Sequence, residues 1–476
     1  MARLLLPLAV LAAAAQQLAA DSDPRAFSPT ALFGDHMVLQ ATDPSKPDES
    51  AHLAGQAAPG AVVVLEVAFG GKTEKTLHAA ADSSGQWDIG GIKATMNQGP
   101  FVLTLRAMGQ ARVAKDVWFG TVVMCTGQSN MELSFPDIYD NETLINSATT
   151  PEIRLLQVKL SDAAAPLPVG APVPTVSNWT LASPRTVKTF SAICYLTARA
   201  ISDRIMCEAG ACYFGLIETC EGATDIQSWM SAESREEART SCWAMPGQAP
   251  PPQLPPIAIG KHGGPAQLYN AMIAPLAGYT LAGIWWDQGE DNDPYCSAHQ
   301  YDCLYQTMMT DWRAKWNQSA SSLPVTSVQL CGFNRGMKVA NIRLAQSDSL
   351  PTAQAYWSNH SKTRIALPNS AVAASYDLCS PEPGKEQTPG QPGYACWVHA
   401  RNKSEVSRRV ALQHLQLLGQ TGGDQWSGPV VLSTTKSPAS PVRFRLKNVD
   451  FRLKNVDFRL KNVDFMIKRT GSSAQP

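Results

Sequence analysis

Between residues 28 and 112 apolar positions alternate with polar ones, and turn signals interrupt them at short intervals. Ala61-Val62-Val63-Val64-Leu65-Glu66-Val67 is a β-branched run entered through Pro59-Gly60. Asp82-Ser83-Ser84-Gly85-Gln86-Trp87 reads as a hairpin turn, and Phe101-Val102-Leu103-Thr104-Leu105 follows Gln98-Gly99-Pro100. A period of two broken by turn residues predicts short strands, and strands at this spacing predict a small β-sandwich. From residue 113 the pattern changes. Trp118 to Met124 is an apolar run suited to a buried strand, Ala192 to Ile201 reads as a helix, and Cys212–Ile217, Leu281–Trp286 and Ala371–Ala374 read as further strands. Strands separated by helical stretches predict a parallel α/β layer structure over residues 113–420. The Pro-rich stretches 166–174 and 246–256 read as surface loops. After His399 a helix is well marked: Asn402 and Glu405 resemble a capping box, Val406, Val410, Leu415, Leu417 and Leu418 give an apolar side, and Gly419 can end it.

The tail, residues 421–476, carries Phe-Arg-Leu-Lys-Asn-Val-Asp three times in tandem from Phe444 to Asp464. Three heptads are the bare minimum for a coiled coil, and Val and Asn recur in every copy, so the segment reads as a sequence expansion with weak β tendency. The first residues look different again. Arg3, the apolar run Leu4 to Leu11 and the small residues Ala19-Ala20 have the form of a secretory signal peptide over residues 1–20. That apolar run is short of the ~20 residues that span a bilayer, and no later segment is long and apolar enough to do so.

Composition narrows the function. The 476 residues are 44% hydrophobic with 12 Trp, enough for a large core spread over more than one domain. Forty Lys+Arg balance forty Asp+Glu, and only the tail repeat concentrates basic residues, which excludes electrostatic capture of nucleic acid. Eleven Cys form no C-x-x-C pair, which argues against a zinc site. In an oxidising compartment several of them pair, and the odd number leaves at least one thiol free or intermolecular. Sequons at Asn141, Asn178, Asn317, Asn359 and Asn402 agree with a secreted or lysosomal glycoprotein.

Ser129 follows the strand ending at Met124, on the turn Thr126-Gly127-Gln128-Ser129-Asn130. A serine there reaches the carboxyl edge of the sheet, where α/β sites form, although the same position suits a serine that only caps the next helix. It is not a G-x-S-x-G elbow, because residue 131 is Met. A serine nucleophile needs a base. His36, His52 and His78 fall in the β region, His414 inside the last helix, and His262, His299 and His360 in polar loops; His399, at the start of that helix, could face Ser129 or be a loop histidine with no partner. Gln288, in Gln288-Gly289-Glu290 after a strand, could donate to an oxyanion or simply make a β-turn, and Gly222 could bring a backbone N–H close for the same purpose.

In order, these pieces resemble the sialate O-acetylesterase family, a branch of the SGNH-type (GDSL-like) hydrolases, over residues ~30 to 420. Asp35-His36-Met37-Val38-Leu39-Gln40 is similar to the family's D-x-M-V-L-Q. Gly127-Gln128-Ser129-Asn130-Met131 is similar to G-Q-S-N-M, and Gly215-Leu216-Ile217 with Gly222, Thr224, Ile226 and Trp229 to G-L-I-x-S-S-W-G-G-T-x-I-E-x-W. Tyr269-Asn270-Ala271-Met272-Ile273-Ala274-Pro275-Leu276, Trp286-x-Gln288-Gly289-Glu290-x-Asn292 and His399-Ala400-Arg401-Asn402-Lys403 match further blocks, as do Asp311-Trp312-Arg313 and Val328-Gln329-Leu330. The resemblance implies an SGNH-like three-layer fold with a parallel sheet, and a serine carboxylesterase that removes O-acetyl groups from sialic acids without metal or cofactor. It implies Ser129 as nucleophile, His399 as general base, and Gly222 and Gln288 with the Ser129 N–H as the oxyanion hole. Many SGNH hydrolases carry an Asp three residues before the His, where this chain has Cys396. Asp377, in Tyr376-Asp377-Leu378-Cys379, is the carboxylate that matches the family's M-D-L-C, with Glu290 the alternative orienting acid. Ala223, Asp287 and Asp291 stand where the family has Gly, Tyr and Ser, and the family's C-terminal β region is largely replaced by the heptads. An acetylesterase for other polysaccharides, or an inactive carbohydrate-binding glycoprotein that kept the fold, would share most of these residues.

Overall fold

The computed structural model describes residues 27–46, 49–205, 212–242, 254, 263–295, 300–333, 337–348, 367–378, 380–383, 396–420, 430–437 and 440–447. The expected signal peptide, most of the Pro-rich stretch 246–256 and the heptad copies beyond Lys447 lie outside these residues.

The N-terminal part is built of two antiparallel sheets. One pairs β1 (Ser28–Pro29) and β6 (Gln86–Ile92) on either side of β3 (Ala51–Gln56). The other runs β5 (Lys72–Ala80), β4 (Val62–Phe69), β7 (Phe101–Ala107) and the first part of β8 (Gln110–Gly127). The alternation read in the sequence is the burial pattern here: Val63, Leu65 and Val67 of β4 and Leu103 and Leu105 of β7 point into the core, with Leu53, Trp87 and Ile89 from the other sheet. The turn at Asp82 closes through its own carboxylate, which accepts from the backbone N–H of Ser84 and Gln86.

β8 overturns the expected break at residue 112. It is one strand of 18 residues. Its first half alternates like its neighbour β7; its second half, Phe119 to Gly127, is buried on both faces. The two halves obey different hydrophobic rules because they lie in different sheets, and so they read as two elements in the sequence. The second half is the centre of a sheet in the order β10 (Thr180–Leu181), β9 (Ile153–Gln157), β11 (Phe214–Cys220), β8, β12 (Gly283–Asp287), β13 (Val325–Gln329), β14 (Ser370–Ala374). All of these run parallel except the edge strand β10. β2 (Val38–Gln40) joins β8 alongside Trp118–Gly120.

Helices cover both faces. Adjacent residues of a strand point to opposite sides, so Trp285 and Trp286 of β12 report the two layers. Trp285 packs edge-on against His414 of α6 (Lys403–Leu417), and α6 lies against α2 (Ala192–Ser202). Trp286 packs edge-on against Trp312 of α4 (Tyr301–Lys315), which lies between α3 (Ala232–Ser241) and α5 (Met337–Asp348). This is the three-layer α/β architecture expected. A disulfide from Cys125 of β8 to Cys194 fixes α2 to the central strand, and Cys242–Cys303 ties α3 to the start of α4. Cys212 and Cys396 are also disulfide-bonded, whereas Cys220 and Cys331 are buried free thiols. In the tail, β15 (Val430–Ser437) and β16 (Ser440–Lys447) form a hairpin that takes in the start of the first heptad copy.

After β8 the chain builds β9 and β11 on one side of it and then β12 on the other. The carboxyl ends of β8, β11 and β12 therefore meet at a topological switch point, the place where open α/β sheets bind ligands.

Candidate active site

Gly127 ends β8 with φ +138°, and a Cβ there would lie 2.1 Å from the Asp287 carbonyl oxygen of β12. Only glycine allows this approach, and the next residue uses it: the Gln128 N–H donates to the same carbonyl at 2.9 Å. The chain then turns into a short helix, α1 (Ser129–Glu132), whose first residue is the expected nucleophile. His399 arrives from the opposite side, in the loop before α6. Asn402 caps that helix by accepting from the Glu405 N–H at 3.2 Å, as the sequence suggested. Ser129 Oγ and His399 Nε2 are 2.9 Å apart across 270 residues of chain, so the hydroxyl can donate to the imidazole. The edge of the Trp397 ring packs on His399, with centroids 4.4 Å apart. Burial, and then the positive charge of Lys403, pull His399 down to about 4.

The third member of a triad is not where the sequence placed it. His399 Nδ1 is buried and has no hydrogen-bond partner among the described residues. Asp377 lies in a bidentate bridge to Arg409 of α6, at 2.6 and 2.7 Å, and its side chain is 45% exposed. Glu290 is buried below the nucleophile turn, where its carboxylate accepts from the Asn130 amide. That same amide donates to the Val398 carbonyl at 3.0 Å, so Glu290 is tied to the histidine loop through Asn130. Burial, with Asp287 close by, raises Glu290 well above the usual carboxylate range.

The two expected oxyanion donors are placed differently from each other. Gly222 follows β11 beside Ser129: a Cβ on it would lie 3.2 Å from Ser129 Cβ. Its N–H donates to Glu132 Oε2 at 2.8 Å. Gln288 is fully buried and committed elsewhere. Its amide N–H group donates towards Gln128 Oε1, the Thr224 carbonyl and Asn292 Oδ1, and its oxygen accepts from Tyr301. The structure thus makes Gln288 a brace between the ends of β8 and β12 and the Gly222 loop, not a donor facing Ser129. Ala223, in the family's glycine position, adopts φ +57°.

Asp287 and Asp291, the two unexpected carboxylates, both have partners. Asp291 accepts from the Gln128 amide at 3.1 Å, and Asp287 Oδ2 lies 3.9 Å from Lys403 Nζ. Lys403 is the residue whose role went unread in the sequence. Fully buried, its ammonium donates to the Asn130 carbonyl at 2.7 Å and to Asn130 Oδ1 at 2.9 Å. It holds the residue next to the nucleophile from below. Its place as the first residue of α6, four positions after His399, was the available signal. Glu132, three residues after Ser129, carried the same kind of signal.

Among the described residues no group of three or more His, Cys, Asp and Glu could hold a metal ion, and no helix is long and apolar enough to cross a membrane. What the arrangement can do is deprotonate a partly buried serine beside a backbone amide, the chemistry of acyl transfer.

Comparison with known proteins bears on the family and the fold. Curated sialate O-acetylesterases from Pongo abelii and Homo sapiens are each 27% identical to the chain over 402 residues, covering 81% of it and 70% of the relative. The mouse sialate O-acetylesterase is 25% identical over 425 residues. The crystal structure of a carbohydrate acetylesterase from Xanthomonas citri superposes with a TM-score of 0.67 at 24% identity, covering 88% of this chain and 81% of that one, a likeness of fold. The family described as carbohydrate esterase, sialic acid-specific acetylesterase matches residues 120–364, half of the chain and most of the α/β layer structure, and the chain belongs to that family.

Proposed function

We propose that the chain is a serine esterase that removes O-acetyl groups from sialic acids through an acetyl-enzyme, with Ser129 as nucleophile and His399 as base. The 2.9 Å contact between Ser129 Oγ and His399 Nε2 at the switch point of the sheet carries this reading. Ser129 Oγ attacks the acetyl carbonyl carbon while His399 takes its proton. The Ser129 N–H, at the open start of α1, and the Gly222 N–H receive the developing oxyanion. His399 returns the proton to the sugar oxygen as the C–O bond breaks. A water molecule, deprotonated by His399, then attacks the acetyl carbon; the bond from that carbon to Ser129 Oγ breaks, His399 returns the proton to Ser129 Oγ, and acetate leaves. With His399 held down to about 4, the imidazole is a neutral base throughout the neutral and mildly acidic range. The apolar segment ahead of residue 20 and the disulfides support synthesis through a secretory route, to the exterior or to lysosomes.

The test is acetate release from an aryl acetate and from 9-O-acetylated sialic acid, for the native chain and Ser129→Ala. Turnover of both, reduced at least about a thousandfold in the variant, is the expected result. Turnover of the aryl ester alone moves the substrate to another acetylated sugar. Absence of both in folded protein replaces the esterase by a carbohydrate-binding protein.

A further inference from the structure

The Gly222 N–H needed for the oxyanion already has an acceptor from within the chain. Glu132 Oε2 lies 2.8 Å from Gly222 N. A Cβ placed on Gly222 would come within 2.9 Å of that oxygen and 3.2 Å of Ser129 Cβ, so the carboxylate and the nucleophile stand over the same side of the glycine. Glu132 is three residues after Ser129 in α1, which puts the two side chains on one face of the turn. It is exposed, with room to swing into solvent. From the end of β11, Glu218, Cys220 and Glu221 all feel its charge; burial and then Glu132 push Glu221 up to about 7. A carboxylate oxygen on a backbone N–H beside a nucleophilic serine has the charge and hydrogen-bond direction of a tetrahedral oxyanion, and the functional group of the product, acetate.

We propose that Glu132 is a displaceable internal ligand of the oxyanion hole: its carboxylate holds the Gly222 amide aimed at the site in the free enzyme and gives way to the acyl oxygen of the substrate. This rests on the proposed esterase reading and adds a residue that sets how readily the site takes carboxylates. Glu132 is a positioning residue here and takes no proton in the reaction. Because it is tethered beside the amide, it competes with free acetate at high effective concentration, so the enzyme does not retain its product. Substrate displaces an exposed side chain, while an anionic acyl group meets both the displaced carboxylate and Glu221.

The experiment uses the whole chain with Glu132→Gln and Glu132→Ala and reads two quantities: inhibition of aryl acetate hydrolysis by sodium acetate, and the rate at which a fluorophosphonate labels Ser129 with and without acetate. The expected result for Glu132→Ala is acetate affinity higher by about tenfold or more, the value of one charge-assisted hydrogen bond, with faster labelling of Ser129. Glu132→Gln, which keeps shape and an acceptor oxygen but not the charge, falls between, and it serves as the readout if the alanine variant does not fold. Unchanged acetate affinity in both variants overturns the proposal. So does a parallel loss of turnover and labelling without a gain in acetate affinity, the signature of a residue that only braces the loop. If the native chain hydrolyses no acetyl ester, the proposed function fails by itself, and protection of Ser129 by acetate still decides the role of Glu132.

Discussion

Among the described residues no anion stands behind His399 Nδ1, and the cation Lys403 lies near the ring instead. Removing positive charge makes an imidazole easier to protonate, and burial makes it harder; here burial and Lys403 act in the same direction. Since only the neutral ring can act as base, kcat/KM is expected to stay level with falling pH and to drop tenfold per unit below about 4, the value to which His399 is lowered. Lys403→Met takes away the charge and the two bonds to Asn130, so activity falls and the acidic limb moves upward, towards the ordinary histidine range. A pH profile of both proteins separates this from a loss of folding, which lowers the plateau without moving the limb. Asp377 belongs to a half-exposed bridge to Arg409, so Asp377→Asn is expected to leave kcat/KM within about twofold and to cost at most about 1 kcal/mol in stability. A loss of several orders of magnitude would place it behind His399 after all. Ser129 and His399 were legible in the sequence because each adjoins an element whose pattern is plain: Ser129 comes just after a buried strand, His399 just before a capped helix. Asp377 was misread for the complementary reason. A carboxylate at a strand end signals that it is near a site but not which cation claims it, and Arg409 lies a further 32 residues along, on a helix whose polar face the pattern leaves unassigned.

At the scale of elements, the site depends on β8 and β12 touching at their ends. Gly127→Ala adds a Cβ that would meet the Asp287 carbonyl at 2.1 Å, in a conformation that disfavours side chains. The expected cost is about 3 kcal/mol or more, together with loss of Ser129 labelling, as measured by chemical unfolding and by fluorophosphonate reactivity. Equal stability and labelling would show that the strand ends can part without consequence. The strong elements were readable from period and caps: β4, β7, α2, β12 and α6 lie where the alternation, the apolar runs and Asn402 put them. β9 and β13 carried less signal. Each is a five-residue strand buried in a parallel sheet, and so short a run looks the same in a strand as in any buried segment. Trp229, Trp286 and Trp312 pack edge-on in series within the core.

For the whole molecule, the expected division at residue 112 fails because β8 runs through it. Met37, Val38 and Leu39 are buried against the α/β part, Tyr279 donates to the Val38 carbonyl, and Gln40 Oε1 accepts from the Val122 N–H at 2.9 Å. Residues 113–420 expressed alone are expected to be insoluble or unfolded, whereas 27–420 folds and keeps the activity of the full chain, since every residue assigned to the site lies between Gly127 and Lys403. Circular dichroism and aryl acetate hydrolysis of the two fragments test this; a folded, active 113–420 fragment would mean that the sheets are independent. The continuous strand has a mechanical corollary. Closure of one lobe over a ligand requires a hinge, a few residues at an element boundary that absorb a change of backbone angle. Between the sandwich and the catalytic sheet the connection through β8 is ladder-bonded strand, paired with β7 in its first part, with β2 at Trp118–Gly120 and with β11 from Thr121 onward. The two lobes therefore turn together as one lever, and neither clamps down on a substrate at Ser129 by turning about β8. Fit and release are left to the side chains around Ser129.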